Sequence, residues 1–168
     1  VNGKGDLFNS MPYRLSIGYL DDNGVLKTSN MKRSTLALNL SPEFFDKHLT
    51  LNLNAKGIYA KNRFADTGAI GAAISYDPTQ GIYDTTSNGL QGYRIWRNSA
   101  GGINTMATQN PVAMLEQKDD KSTVKRFVGN AQFDYKFFYV PGLRANLNLG
   151  LDFSTSDGTV DTPEGCEM

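Results

Sequence analysis

Trp96 is the single tryptophan of this 168-residue chain, and Tyr93, Arg94 and Arg97 stand within three positions of it. An exposed aromatic face stacks on the apolar side of a sugar ring or on a peptide side chain, and arginine adds bidentate contacts to carboxylates. The same tryptophan could instead pack its own loop against the wall that carries it. Tyr93, Arg94, Trp96 and Arg97 are therefore the candidate substrate or lid contacts, and the chemistry they offer is binding.

Bond-breaking chemistry finds little support. The one histidine, His48, falls beside Asp46 and Lys47 in an expected tight turn, with no second candidate for a Ser-His-Asp or Cys-His arrangement. No acid/base carboxylate pair stands at a readable spacing. Asp21, Asp22 and Asn23 before Gly24 lack the later ligands and closing Glu of a calcium loop, so a hairpin turn is expected. Asp157, Asp161 and Glu164 are the remaining oxygen ligands that could meet a calcium ion. Gly3-Lys4-Gly5 has no strand-to-helix context and is not a phosphate loop. No catalytic residue, metal site or cofactor is expected. Seventeen basic and seventeen acidic residues cancel, leaving no field to hold nucleic acid. The mixed run Glu116, Lys118, Asp119, Asp120, Lys121, Lys125, Arg126 reads as a solvated loop base. Cys166 is alone and cannot form an internal disulfide.

The elements that must position the Trp96 cluster are strands. From Leu143 to Ser154 every second residue is apolar (Leu143, Ala145, Leu147, Leu149, Leu151, Phe153), while Asn146, Asn148, Asp152 and Ser154 occupy the other face. Four more segments alternate in the same way. The pattern predicts strands at 12–20, 31–41, 48–61, 126–140 and 143–155, with a long loop over 62–125. Twelve residues at ~3.3 Å each, tilted by about 40°, cover roughly 30 Å, enough for the ~25 Å apolar band of an outer-membrane barrel. Mean hydropathy is low, −0.41, but a barrel meets lipid through alternate residues only and escapes such averages. No apolar run approaches the about 18 residues of a helical span.

The connections also alternate. Ser41 to His48 and Pro141-Gly142 are short; the segments after Asp21, from Lys61 to about Lys125, and after Thr155 are longer. Short turns on one rim and long loops on the other are the layout of outer-membrane barrels, the long loops facing outward. Phe8, Tyr13, Phe44, Phe45, Phe137, Phe138 and Tyr139 fall beside the short-turn rim, as a girdle would, although aromatics favour strands in general. Within the long loop, Asp66 to Ser75 combines a cap candidate, small residues and Pro78 as a stop, which predicts one short helix despite two glycines.

Pro12-Tyr13-Arg14-Leu15-Ser16-Ile17-Gly18-Tyr19 followed by Asp22-Asn23-Gly24-Val25-Leu26-Lys27-Thr28-Ser29 resembles a barrel hairpin of the SusC/RagA family of TonB-dependent outer-membrane transporters from Bacteroidetes. Pro42-Glu43-Phe44-Phe45-Asp46-Lys47-His48-Leu49, then Arg63-Phe64-Ala65-Asp66-Thr67-Gly68-Ala69-Ile70 with Asp77-Pro78-Thr79-Gln80, follow in the family's order. So do Asn110-Pro111 with Leu115-Glu116-Gln117-Lys118-Asp119-Asp120, and finally Leu143-Arg144-Ala145-Asn146-Leu147-Asn148. The resemblance covers nearly the whole chain. It implies an internal piece of a large plugged barrel, an all-β antiparallel up-and-down meander in the bacterial outer membrane. For the full protein it implies import of oligosaccharides or peptides, with a SusD-like lipoprotein at the outer mouth and TonB acting on the plug.

The rival reading is a soluble secreted β-sandwich that binds carbohydrate, in which the leucine faces would pack together as a core. Its strands should be shorter, and its loop lengths need not alternate by rim.

Overall fold

A computed structural model of the chain describes residues 2–7, 11–84, 91–140 and 142–162, with the side chains of 2–7 left aside. Phe8, Pro141, Glu164 and Cys166, considered above, lie outside the described residues. Among the described residues seven strands form one sheet: β1 (Asn2–Leu7), β2 (Met11–Asn23), β3 (Asn30–Leu40), β4 (Glu43–Phe44), β5 (Leu49–Phe64), β6 (Asp119–Lys136) and β7 (Arg144–Asp161). Two short helices, α1 (Gly68–Ser75) and α2 (Pro111–Gln117), interrupt the connection between β5 and β6. The order β1-β2-β3-β5-β6-β7 is sequential, with the two-residue β4 paired to β5 off the main path. This is the all-β antiparallel meander that the alternation implied. Among the described residues no helix is long and apolar enough to cross a membrane.

The strands outrun their sequence signal. β6 starts at Asp119 rather than 126 and stops at Lys136 rather than 140, and β7 continues to Asp161 rather than 155. β2 and β5 likewise extend to Asn23 and Phe64, so the segment between β5 and β6 is 65–118 rather than 62–125. Apolar alternation marks a strand only where one face is dry. Further along, polar side chains carry the pairing: Arg63 of β5 lies 3.0 Å from Asp119 of β6, and Lys32 of β3 lies 3.4 Å from Asp21 of β2. Phe137 to Val140, expected as strand, form a turn instead, in which the Phe137 amide donates to the Leu143 carbonyl. His48 stacks on Phe138 there, with ring centroids 3.7 Å apart, and its carbonyl accepts from the Lys136 amide at 2.7 Å. The histidine is thereby a structural pin between two strand ends.

β1 was invisible to the periodicity because Asn2-Gly3-Lys4-Gly5-Asp6 carries no apolar alternation. It pairs with β2 from Asn2↔Ser16 to Leu7↔Met11. Gly3-Lys4-Gly5 is thus part of an edge strand, and the open edges are β1 and β7. At the β3–β5 connection Phe45, Asp46 and Lys47 take three successive left-handed conformations (φ 54°, 52° and 69°). None is a glycine, and each such residue costs about 1–2 kcal/mol. The His48 amide closes this turn on the Phe45 carbonyl at 3.0 Å.

Contacts divide the chain into two units, one of residues 1–21, 32–61 and 123–157 and one of 22–31, 62–122 and 158–168. In the first, the described residues include just one buried hydrophobic side chain, Ala60. Ile17, Tyr19, Leu36, Tyr59, Phe127 and Phe153, drawn from five strands, line one shallow depression on a single face of the sheet. Leu38, Leu53, Ala131 and Leu149 line another on strand positions of the same parity. These side chains stay open: Leu151 is 61% and Phe153 63% exposed. The leucine faces therefore lie side by side, not packed against each other as in a sandwich. On the opposite parity, Arg126 pairs with Asp152 across β6 and β7. Asn146 reaches Asp134 at 3.4 Å.

A single layer with an uncovered apolar face and two open edges cannot stay dispersed in water. The isolated chain is expected to self-associate in aqueous buffer and to become dispersed in detergent, as light scattering after size exclusion would read. A detergent-free monomer that unfolds cooperatively would contradict this.

Candidate functional site

The second unit is built from polar contacts and two small helices. α1 begins after Asp66, whose Oδ1 accepts from the Gly68 amide at 2.8 Å; the helix's own cap position, Thr67, makes no side-chain cap bond. Small residues let α1 approach α2 closely, with Ala69 and Ala113 both buried. A side chain at Gly68 would meet the Met114 Cε at 3.1 Å, so the glycine permits this approach. The chain leaves α1 in an extended conformation at Tyr76, and Asp77 Oδ1 then accepts from the Thr79 amide and hydroxyl at 2.9 and 2.8 Å. That Asx turn holds the Asp77 carboxyl below its ordinary value.

Asn110 is the keystone. It is 1% exposed and is the largest fully buried side chain among the described residues. Its Oδ1 caps α2 by accepting from the Val112 and Ala113 amides at 3.1 and 3.4 Å. Its Nδ2 donates to the Ile82 carbonyl at 2.6 Å and the Arg94 carbonyl at 3.2 Å. Pro111 follows at the first helical position, where a missing N–H costs nothing. One side chain thus fixes α2, the segment at Ile82 and the segment at Arg94.

Residues 93–97 run between two short antiparallel pairings, Tyr83 with Tyr93 and Arg97 with Ile103. The Arg94 amide donates to Ile82 and the Asp84 amide to Gly92, both at 3.0 Å. The Asn98 amide donates to Gly102 and the Asn104 amide to Trp96, both at 2.8 Å. All four sequence candidates are in this segment, but their side chains have different surroundings. Tyr93 donates its hydroxyl to Glu116 and meets Tyr83 in a tilted ring contact, 5.5 Å between centroids. Arg97 donates to the Gly101 carbonyl at 2.7 Å. Trp96 is half-buried and meets Tyr76 at 6.5 Å in a tilted contact. Arg94 is half-buried and makes no ion pair among the described residues.

The charge run at the loop base is not simply solvated. Glu116 accepts from both Lys27 and Tyr93. Lys118 pairs with Asp66 at 3.0 Å, with their side chains 28% and 17% exposed. The Lys27 ammonium, then the Tyr93 hydroxyl, hold the Glu116 carboxyl below its ordinary value, and the Lys118 ammonium does the same for Asp66. Tyr93 is in turn pushed up to about 12, chiefly by donating to Glu116. Sequence reasoning missed Asn110, Glu116 and the exposed Tyr83. The Asn-Pro pair at 110–111 was a readable helix start; the Glu116 contacts join segments far apart in sequence and left no local trace.

Among the described residues no three His, Cys, Asp or Glu side chains gather as for a metal ion. The Asp22 and Asn23 positions form a hairpin end, where Asn30 Nδ2 donates to the Asp22 carbonyl at 3.2 Å and to Asn23 Oδ1 at 2.8 Å.

No protein-family model matches the chain. It is 43% identical over 167 residues to the TonB-dependent receptor SusC of Bacteroides thetaiotaomicron, an alignment covering 92% of this chain. The chain belongs to the SusC family of TonB-dependent receptors. It spans 16% of that relative's length. SusC-type TonB-dependent receptors are transporters rather than enzymes.

Two predictions follow from the keystone and the carboxylates. Asn110→Ala should loosen the loop by roughly 2–4 kcal/mol, as lost cap and orphaned carbonyls add. Asn110→Asp keeps the cap acceptor but turns a buried carboxylate oxygen onto the Ile82 and Arg94 carbonyls, so it should loosen the loop at least as much as Asn110→Ala, visible as faster hydrogen exchange at Arg94. Glu116 and Asp66 are depressed in the folded state, so their stabilisation is complete above their ordinary values of 4.5 and 3.8. It is lost as pH falls through the folded values. Protection of segment 92–98 should therefore be constant near neutrality and decline on acidification below about pH 4.5.

Proposed function

We propose that this SusC-family chain is a section of barrel wall from an outer-membrane receptor that imports nutrients by coupling to TonB. The observation that carries the proposal is the two-faced single layer: apolar side chains of five strands share one uncovered face, and Arg126, Asp152, Asp134 and Asn146 occupy the other. Lipid covers the first face and a wet lumen meets the second. The five longest strands, of eleven to eighteen residues, reach or exceed the about 9–11 that a tilted crossing needs.

The cargo in this reading is an oligosaccharide or a peptide, and a SusD-like lipoprotein is the partner at the outer mouth. The long connection 65–118, on the rim opposite the short turns, carries the substrate or lid contacts Tyr93, Arg94, Trp96 and Arg97. Arg94, with no carboxylate paired to it among the described residues, suits a ligand carboxylate or hydroxyl, and Trp96 with Tyr76 offers an apolar wall. Tyr93 and Arg97 hold the segment that presents them.

Two experiments test this reading. In the full receptor Leu151→Arg should impair membrane assembly, costing about 2–4 kcal/mol near the bilayer midplane, whereas Asn148→Arg on the other face should be tolerated. Equal behaviour of the two would refute the assignment of faces. Trp96→Ala should reduce the full receptor's capture on a glycan and peptide array, or its docking of the lipoprotein, by about tenfold. Wild-type capture and docking would remove the loop from the binding site.

A further inference from the structure

We propose that Lys27 and Thr28, in the connection between β2 and β3, are positioning residues for segment 93–97, acting through Glu116 in the last turn of α2. The proposal rests on the reading of that segment as the ligand contact, but the contacts that support it stand without any ligand.

Lys27 donates to Oε1 of Glu116, and Tyr93 donates its hydroxyl to Oε2 of the same carboxylate. The carboxylate is therefore a shared acceptor between the β2–β3 connection and the ligand segment. The neighbouring Thr28 donates Oγ1 to the Leu115 carbonyl at 3.0 Å, from 87 residues away in sequence. That carbonyl belongs to the last turn of α2, which has no basic residue of its own. Helix C-termini need donors and favour cations. Here both are supplied by a distant loop.

Backbone conformation is the independent observation. Thr28 has φ 76°, a left-handed value that β-branched residues avoid. Such a conformation persists where surrounding contacts over-determine it. The contacts that do so are the Thr28 hydroxyl on Leu115 and the Lys27 ammonium on Glu116, and the loop is closed behind them by the Gly24 amide on the Ser29 carbonyl at 2.9 Å. A lone exposed ion pair would matter little, and Lys27 is 62% exposed. Glu116 differs because it also anchors Tyr93, so a carboxylate released by Lys27 is free to swing away from the Tyr93 hydroxyl. The α2 terminus and residue 93 are then loosened together.

The test is hydrogen exchange on the full receptor in detergent, with no ligand added, read on peptides covering 92–98, where the Arg94 and Asn98 amides are hydrogen-bonded. Lys27→Met and Thr28→Val should each speed this exchange by about three- to tenfold. Lys27→Arg and Thr28→Ser, which retain the cation and the hydroxyl, should preserve wild-type protection. Lys32→Met, which breaks the Asp21 pair instead, should also leave it unchanged. Wild-type exchange in both Lys27→Met and Thr28→Val would overturn the proposal, as would equal acceleration in the two conservative variants. Because no ligand is present, these outcomes are independent of whether Trp96→Ala alters capture on the array.

Discussion

Period-two alternation without a second layer is the constraint on which this structure depends. Fully burying one Leu or Phe side chain is worth about 1.5–3 kcal/mol, and the sheet leaves its apolar residues unburied on five strands. Alternation normally directs such residues toward a core, yet Ala60 is the one hydrophobic side chain buried among the described residues of the sheet unit. The missing stabilisation has to come from the surroundings. A bilayer provides it in the form this face requires, a continuous apolar medium with no demand for shape complementarity. The polar face needs no such medium: its cross-strand pairs remain among water.

The loop unit solves the opposite problem. It has few apolar contacts, mainly Ala69, Ala113 and Ile95, and depends on directional bonds converging on two side chains. Asn110 uses all of its polar capacity on backbone groups from three segments. Glu116 collects a hydroxyl and an ammonium. Such networks specify one geometry closely when every member is satisfied, and yield together when one is removed.

Most of the sheet was legible because strand parity is a local property. Leu143 to Phe153 announces its face within a dozen residues, and Asp66 to Ser75 announces a helix through its small residues and Pro78. What escaped notice was of two kinds. Asn2 to Asp6 in β1 and Asp119 to Lys121 in β6 have no apolar residue to alternate, so they pair without any periodic trace. The Asn110 and Glu116 networks, and the left-handed run Phe45 to Lys47, depend on residues brought together by folding. Sequence placed the four loop candidates on one segment but held no sign that Tyr93 would be tied to Glu116 and Arg97 to the Gly101 carbonyl.

Parity also decides where such a chain can change length. Removing one residue within β7 would turn Leu147, Leu149, Leu151 and Phe153 to the wet side from that point to the strand's end, and would part Arg126 from Asp152. The connection from Ala65 to Lys118 carries no such parity: residues can be gained or lost there without inverting a single stave. Insertions and deletions are thus channelled by the architecture itself into that connection. Related chains can differ in that connection while the wall, counted in twos, stays the same.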